Sequence, residues 1–237
     1  MGAETRRPWA WAALPLALGT LGCVELMETL ETAETVRPST AADGLREALT
    51  VGTGRAVDQL ARRDGYLGAS ALRIEVPDKL EPVARALRVF GREDLVSEFV
   101  VGMNRAAEAA APVARKVFVE SIREISFDDA LTILRGREHE ATDYLHREAR
   151  LRLEQAFRPI VADKLEAVGA TRSFDDVMSE ISHVPFVDRP VMDLGEYVTS
   201  RALDGLFLTL AREEEKIRRD PTARTTELLR RWFDRPA

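Results

Sequence analysis

The chain is poor in the residues that carry most enzyme chemistry. It holds one cysteine and three histidines in 237 residues. An internal disulfide is therefore excluded, and a metal cage of cysteine and histidine has few members to draw on. There is no glycine-rich phosphate loop, no Gly-x-Ser-x-Gly elbow and no cysteine–histidine dyad. Aromatic residues make up only 6% of the sequence, and β-branched runs are scarce. Both features weigh against strands and toward helices built from Leu, Ala, Glu and Arg. Positive charge is not in excess: the net charge is −6. A nucleic-acid partner is set aside on that ground, because neutralising phosphates needs clustered positive charge. Lysine is also scarce, found only at Lys79, Lys116, Lys164 and Lys216, which reads as codon bias toward arginine.

What is present begins with an export signal. Arg6 and Arg7 precede an uncharged apolar run from Trp9 to Gly22 that is too short to span a bilayer. The run ends at Cys23. A lone thiol in an exported chain has no internal partner, and Thr20-Leu21-Gly22-Cys23 resembles a bacterial lipobox, with Thr20 where leucine is usual. The expectation is a signal peptide over residues 1–22, acylation of Cys23, a tether to residue 41 and a helical domain over residues 42–237. Several acyl chains anchor stably where one does not. The resemblance to lipoproteins implies a periplasmic protein held at the outer membrane, where the host has one, since Val24 rather than aspartate follows the cysteine.

The body predicts one all-α domain of roughly seven to nine helices. Its organising stretch runs from Asp94 to Ile125. Val96, Phe99, Val100, Met103, Ala107, Ala110, Ala114, Val117, Phe118, Ser121 and Ile122 recur there at helical spacing around an alanine-rich centre. Pro112 is expected to bend this helix near Glu108. Upstream, Thr40-Ala41-Ala42-Asp43 reads as a capping box opening a helix through Leu60, with Gly52 and Gly54 marking a tight crossing or a break. Asp64-Gly65 reads as a turn and 71–76 as extended. A helix then presents Leu80, Val83, Ala84, Leu87 and Phe90 before Gly91 stops it. Ser126-Phe127-Asp128-Asp129 and Ser173-Phe174-Asp175-Asp176 each open a short helix followed by a long one. A degenerate helical-pair repeat and convergent capping both account for that likeness. The first long helix shows Tyr144, Leu145, Leu151, Phe157, Ile160, Val161 and Leu165. A loop holding Pro185 and Pro190 follows. Asp193 then caps the second long helix, and Asp220-Pro221 opens a last one.

Several of these segments are recognisable together. Asn104-Arg105-Ala106-Ala107-Glu108, Asp129-Ala130 with Ile133-Leu134 and Gly136, and Ala141-Thr142-Asp143-Tyr144 resemble a bacterial family catalogued as domain of unknown function 4197. Tyr197-Val198-Thr199, Ala202 to Phe207, and Ile217 to Pro221 with Ala223 to Thr226 are its most specific part. The resemblance covers roughly residues 42–233. It implies an exported helical protein, often lipid-anchored, and carries with it no activity, ligand or catalytic residue.

Two constellations are candidates for chemistry. Asn104, Arg105 and Glu108 on the central helix, with Asp204 in an otherwise apolar run, form a possible polar cluster: a pocket floor, or hydrogen bonds and ion pairs that fix helix register. Arg105 or Arg201 is the expected partner of Asp204. Gly205 beside it suggests a close backbone approach. His139, Asp143 and His146 share one helix face at spacings suited to a metal, but the favoured reading is a solvated polar face and they are only weak candidates for ligands. Glu213-Glu214-Glu215 followed by Lys216, Arg218 and Arg219 reads as an ordinary charged helix end. No set of nucleophile, base and orienting group emerges, and no cofactor is called for. The sequence thus points to an envelope binding or structural module, membrane-bound through Cys23 and engaging a protein or lipid. A carrier whose pocket is lined by the alanine-rich helix and Leu206-Phe207-Leu208 is one alternative. A metal-dependent envelope hydrolase using the two histidines is the other.

Overall fold

Small and apolar residues from Val96 to Ile122 form the packing axis of the helical unit in the computed structural model, which describes residues 38–167 and 192–220 together with 169, 171, 172, 175, 176 and 179. Seven α-helical segments appear among them: α1 (Pro38–Leu60), α2 (Glu81–Val89), α3 (Glu93–Ala110), α4 (Ala114–Arg123), α5 (Phe127–Arg135), α6 (Glu140–Ala167) and α7 (Leu194–Arg219). The described residues include no strand. All eleven stripe residues of the central stretch are buried. Pro112 interrupts it through a 3-10 turn, Ala111–Val113, so the break falls at the proline's own turn rather than back at Glu108. Because α3 and α4 are joined by that turn into one rod, the described residues hold six rods, slightly fewer than expected.

The rods pack in pairs. α7 lies against α1 and α6, α6 lies against both halves of the central rod, and α1 lies against α4 and α5. Two arginines fix α1 antiparallel to α4: Arg46 donates to the Ile125 carbonyl at 2.7 Å, and Arg115 to Asp58 at 2.6 Å. The glycines of α1 mark a crossing and not a break, since the helix is continuous and a methyl at Gly52 would lie 3.5 Å from Cδ1 of Ile217. That helix already includes Pro38, a residue suited to a first turn, so Thr40 sits within it and not before it as expected.

Along α6 the buried face is Leu145, Ala149, Leu153, Phe157, Val161 and Leu165, a strict four-residue spacing that makes a single ridge. Leu151 falls on the opposite side and is 65% exposed, contrary to its expected place in the core. Phe90 is a second such correction. It lies past the last turn of α2, where Gly91 at φ +75° closes the helix with bonds from Gly91 to Arg88 and from Arg92 to Leu87, and its ring is turned out to solvent. Ser126 and Asp129 make a complete capping box on α5, and Asp193 caps α7 through the Glu196 N–H at 2.9 Å. No helix of the described residues is long and apolar enough to cross a membrane. The leader, Cys23, the tether, the second Ser-Phe-Asp-Asp opening as a whole, the proline-bearing loop and the helix after Asp220 lie outside the described residues.

Candidate functional site

Asn104, Arg105 and Glu108 meet one another's neighbours as a latch on the segment joining α1 to α2. That segment runs from Ala61 to Pro77 without regular structure, so its backbone groups need partners from elsewhere. Asn104 is fully buried. Its side-chain amide accepts the Ile74 N–H at 2.9 Å and donates to the Ile74 carbonyl at 2.8 Å, pairing with it as a neighbouring strand would. One turn on, Glu108 accepts the N–H groups of Tyr66 and Leu67, both at 3.3 Å. Arg105 balances that buried carboxylate at 2.6 Å and reaches Asp64 at 2.8 Å. The bond to Glu108, more than any other influence, holds the Arg105 guanidinium above its ordinary pKa.

The latch presents one side chain to the interior. Tyr66 is fully buried, and its hydroxyl donates to the Ala202 carbonyl on α7 at 2.8 Å. Burial, and then the charge of Glu108, push its phenol far above the usual range. The ring lies against Gly205, where a methyl would stand 2.8 Å from Cε1 of Tyr66. Gly205 is thus the close approach that its place in the sequence suggested, and Tyr66 is the residue that demands it.

Asp204 is not part of this cluster. It is exposed and pairs with Arg150 on α6 at 3.1 Å, not with Arg105. Helical rotation explains the separation: Ala202, Leu203, Gly205 and Leu206 face inward, which turns Asp204 out. Arg201 feels the charge of Asp204 but lies over the Tyr197 ring, 5.7 Å from its centre.

A family model for DUF4197, a protein of unknown function, matches residues 35–234. The chain belongs to that family. No curated protein and no solved structure matches it. Every residue of the latch falls within the DUF4197 match, as does a second cluster that sequence reasoning passed over.

That second cluster is centred on Glu214. It is buried rather than part of a solvated helix end, as is Glu213 beside it. Glu214 accepts the N–H of Ala141 at 3.1 Å, the N–H of Thr142 at 2.8 Å and the Thr142 hydroxyl at 2.8 Å. It thereby caps the first turn of α6 from another helix. Arg218 balances it at 2.9 Å and donates to the Ile133 carbonyl near the end of α5. The readable signal was Ala141-Thr142 itself, two helix-opening N–H groups without a cap of their own.

The side chains of His139, Asp143 and His146 do not converge on one point. His139 is exposed just before α6, Asp143 lies 3.9 Å from Arg137, and the His146 ring packs edge-on against Phe207 with Arg150 at 3.2 Å. Among the described residues no group of three or more His, Cys, Asp or Glu is placed to hold a metal ion. The alanine-rich centre is filled by its neighbours: Ala106, Ala107, Ala110 and Ala111 are fully buried, and Leu206 and Phe207 are core residues.

Proposed function

We propose that this DUF4197 protein is a non-catalytic binding or structural module of the cell envelope, exported by its leader and held at a membrane by acyl chains on Cys23. The anchoring half rests on the Arg6-Arg7 pair, the apolar run and Thr20-Leu21-Gly22-Cys23. The binding half rests on one observation at the surface: Val89 and Phe90 are each 79% exposed, side by side, at a helix end closed by the Gly91 turn. Adjacent apolar side chains presented on a fixed backbone suit anchoring in a partner's pocket at little cost in ordering. Meanwhile Asn104, Glu108 and Glu214 are engaged with the chain's own backbone, which is the work of a scaffold.

Two measurements separate the halves. Fatty-acid labelling in the native host should mark the wild type and not Cys23→Ser, and equal labelling of both removes the anchor. A photo-crosslinker at position 90 should give a discrete adduct in intact envelopes, whereas one at exposed Lys116 should not. Identical patterns at the two positions would sink the docking role.

A further inference from the structure

Between α6 and the first turns of α7 lies an open cleft of about 280 Å³. Thr199 lines it and is only 4% exposed, yet its Oγ1 has no hydrogen-bond partner. The other buried serine and threonine hydroxyls among the described residues all reach an acceptor: Thr53, Ser121 and Thr209 return to the carbonyl four residues back, and Thr142 donates to Glu214. Thr199 alone among these five reaches none, and an orphaned buried hydroxyl beside a cleft asks for a ligand. The Ser200 hydroxyl next to it receives only a long contact of 3.5 Å from Arg150.

Charge narrows the ligand. Three ionised side chains line the cleft besides these hydroxyls, and two have an ion-pair partner: Glu154 meets Arg150, which it shares with Asp204, at 3.0 Å, and Arg158 meets Asp193 at 2.6 Å. Glu196 makes no ion pair among the described residues. Leu151, an apolar side chain 65% exposed to solvent, also lines the cleft. One uncompensated carboxylate, two hydroxyl acceptors and an apolar wall match a cation that donates several hydrogen bonds from a short hydrocarbon stem.

We infer that this cleft binds a primary alkylammonium group, with Glu196 facing the charge, Thr199 and Ser200 accepting its N–H bonds and Leu151 covering the methylenes. Free amines and the headgroup of an ethanolamine phospholipid both carry that chemistry. The site shares no residue with Cys23 or with the Val89–Phe90 tip, so it stands or falls apart from the anchoring and docking roles.

The test is an amide NMR titration of the purified full-length protein with n-butylammonium, with butyrate and butanol as probes of equal size. The ammonium should give saturable shifts at the cleft, and the other two should give none. Glu196→Gln and Thr199→Val should each weaken binding by about tenfold, the loss of one charge-assisted hydrogen bond. Circular dichroism should show the helices intact in both variants. Bicelles with and without ethanolamine phospholipid then assign the source: shifts only with that lipid, reversed by n-butylammonium, assign the headgroup, and shifts only with the free amine assign a soluble ligand. No saturable shift, equal binding of butanol, or unchanged affinity in either variant would overturn the inference. So would a Thr199→Val protein that is more stable and binds no amine in either form, since the hydroxyl would then hold nothing beyond water.

Discussion

Glu108 and Glu214 are two versions of one device with different loads. Each is a buried glutamate that accepts two consecutive backbone N–H groups, and each is balanced by an arginine within one turn of its own helix. Glu214 acts on the first turn of α6, where the N–H groups already point along the helix axis and the dipole favours an anion. Its backbone bonds, at 3.1 and 2.8 Å, are the shorter pair. Glu108 acts on an irregular turn whose N–H groups sit at 3.3 Å, and it is supported by Asn104 a turn away and by Tyr66 plugged into the core. The difference teaches that a helix end needs one strong anion, whereas a loop needs several weaker fastenings.

The largest expected effect therefore lies in the loop's plug and not in its carboxylate. Tyr66→Ala should cost about 4 kcal/mol, the cavity left by a buried aromatic together with its hydroxyl bond. Denaturant unfolding measures it, and a loss below about 1 kcal/mol would mean that the ring is dispensable. Next comes Glu214→Ala, at about 3 kcal/mol, because three donors and the guanidinium of Arg218 lose their shared acceptor. Amide exchange should accelerate at Ala141 and Thr142 and not at Tyr66.

Glu108→Gln, which keeps an acceptor oxygen, should cost only about 1 kcal/mol and accelerate exchange at Tyr66 and Leu67. If it equally accelerated Ala141, the two latches would be one coupled network. Asp193 extends the comparison to a carboxylate that caps its own helix, and in solvent. Asp193→Ala should cost about 1 kcal/mol at neutral pH. The Glu196 N–H first, and Arg158 with it, hold this carboxyl below the usual aspartate range. Its contribution is thus complete above the unfolded value of about 4 and is lost as pH falls through the lower folded value. The gap in stability between wild type and variant should close on acidification. A constant gap would mean that the cap acts without its charge.

Much of this was legible in one dimension. The stripe from Val96 to Ile122, the capping box at Ser126, the stop at Gly91 and the cap at Asp193 are local signals, and local backbone chemistry decides them. Leu151 and Phe90 misled for a related reason. Both are apolar residues near a buried face, but a four-residue ridge on α6 and the turn after α2 rotate them outward. Asp204 was misassigned because its partner lies on a different helix from the one expected. Distance in sequence also hid the Glu214 cluster, since an acid 72 residues from the Thr142 N–H that it accepts leaves no spacing to read.

The sequence by itself determined that the chain is helical, where most of its helices begin and end, which faces are apolar, and to which family it belongs. The helical features follow from propensity, capping and periodicity, whose range is a few residues, and the family follows from the match of whole segments. Only the tertiary structure decided that Asn104 and Glu108 hold a loop, that Tyr66 requires Gly205, that Glu214 caps α6, and that Thr199 is left without a partner beside a cleft. Hydrogen bonding and close packing depend on distances between helices, and those distances exist only once the rods have packed.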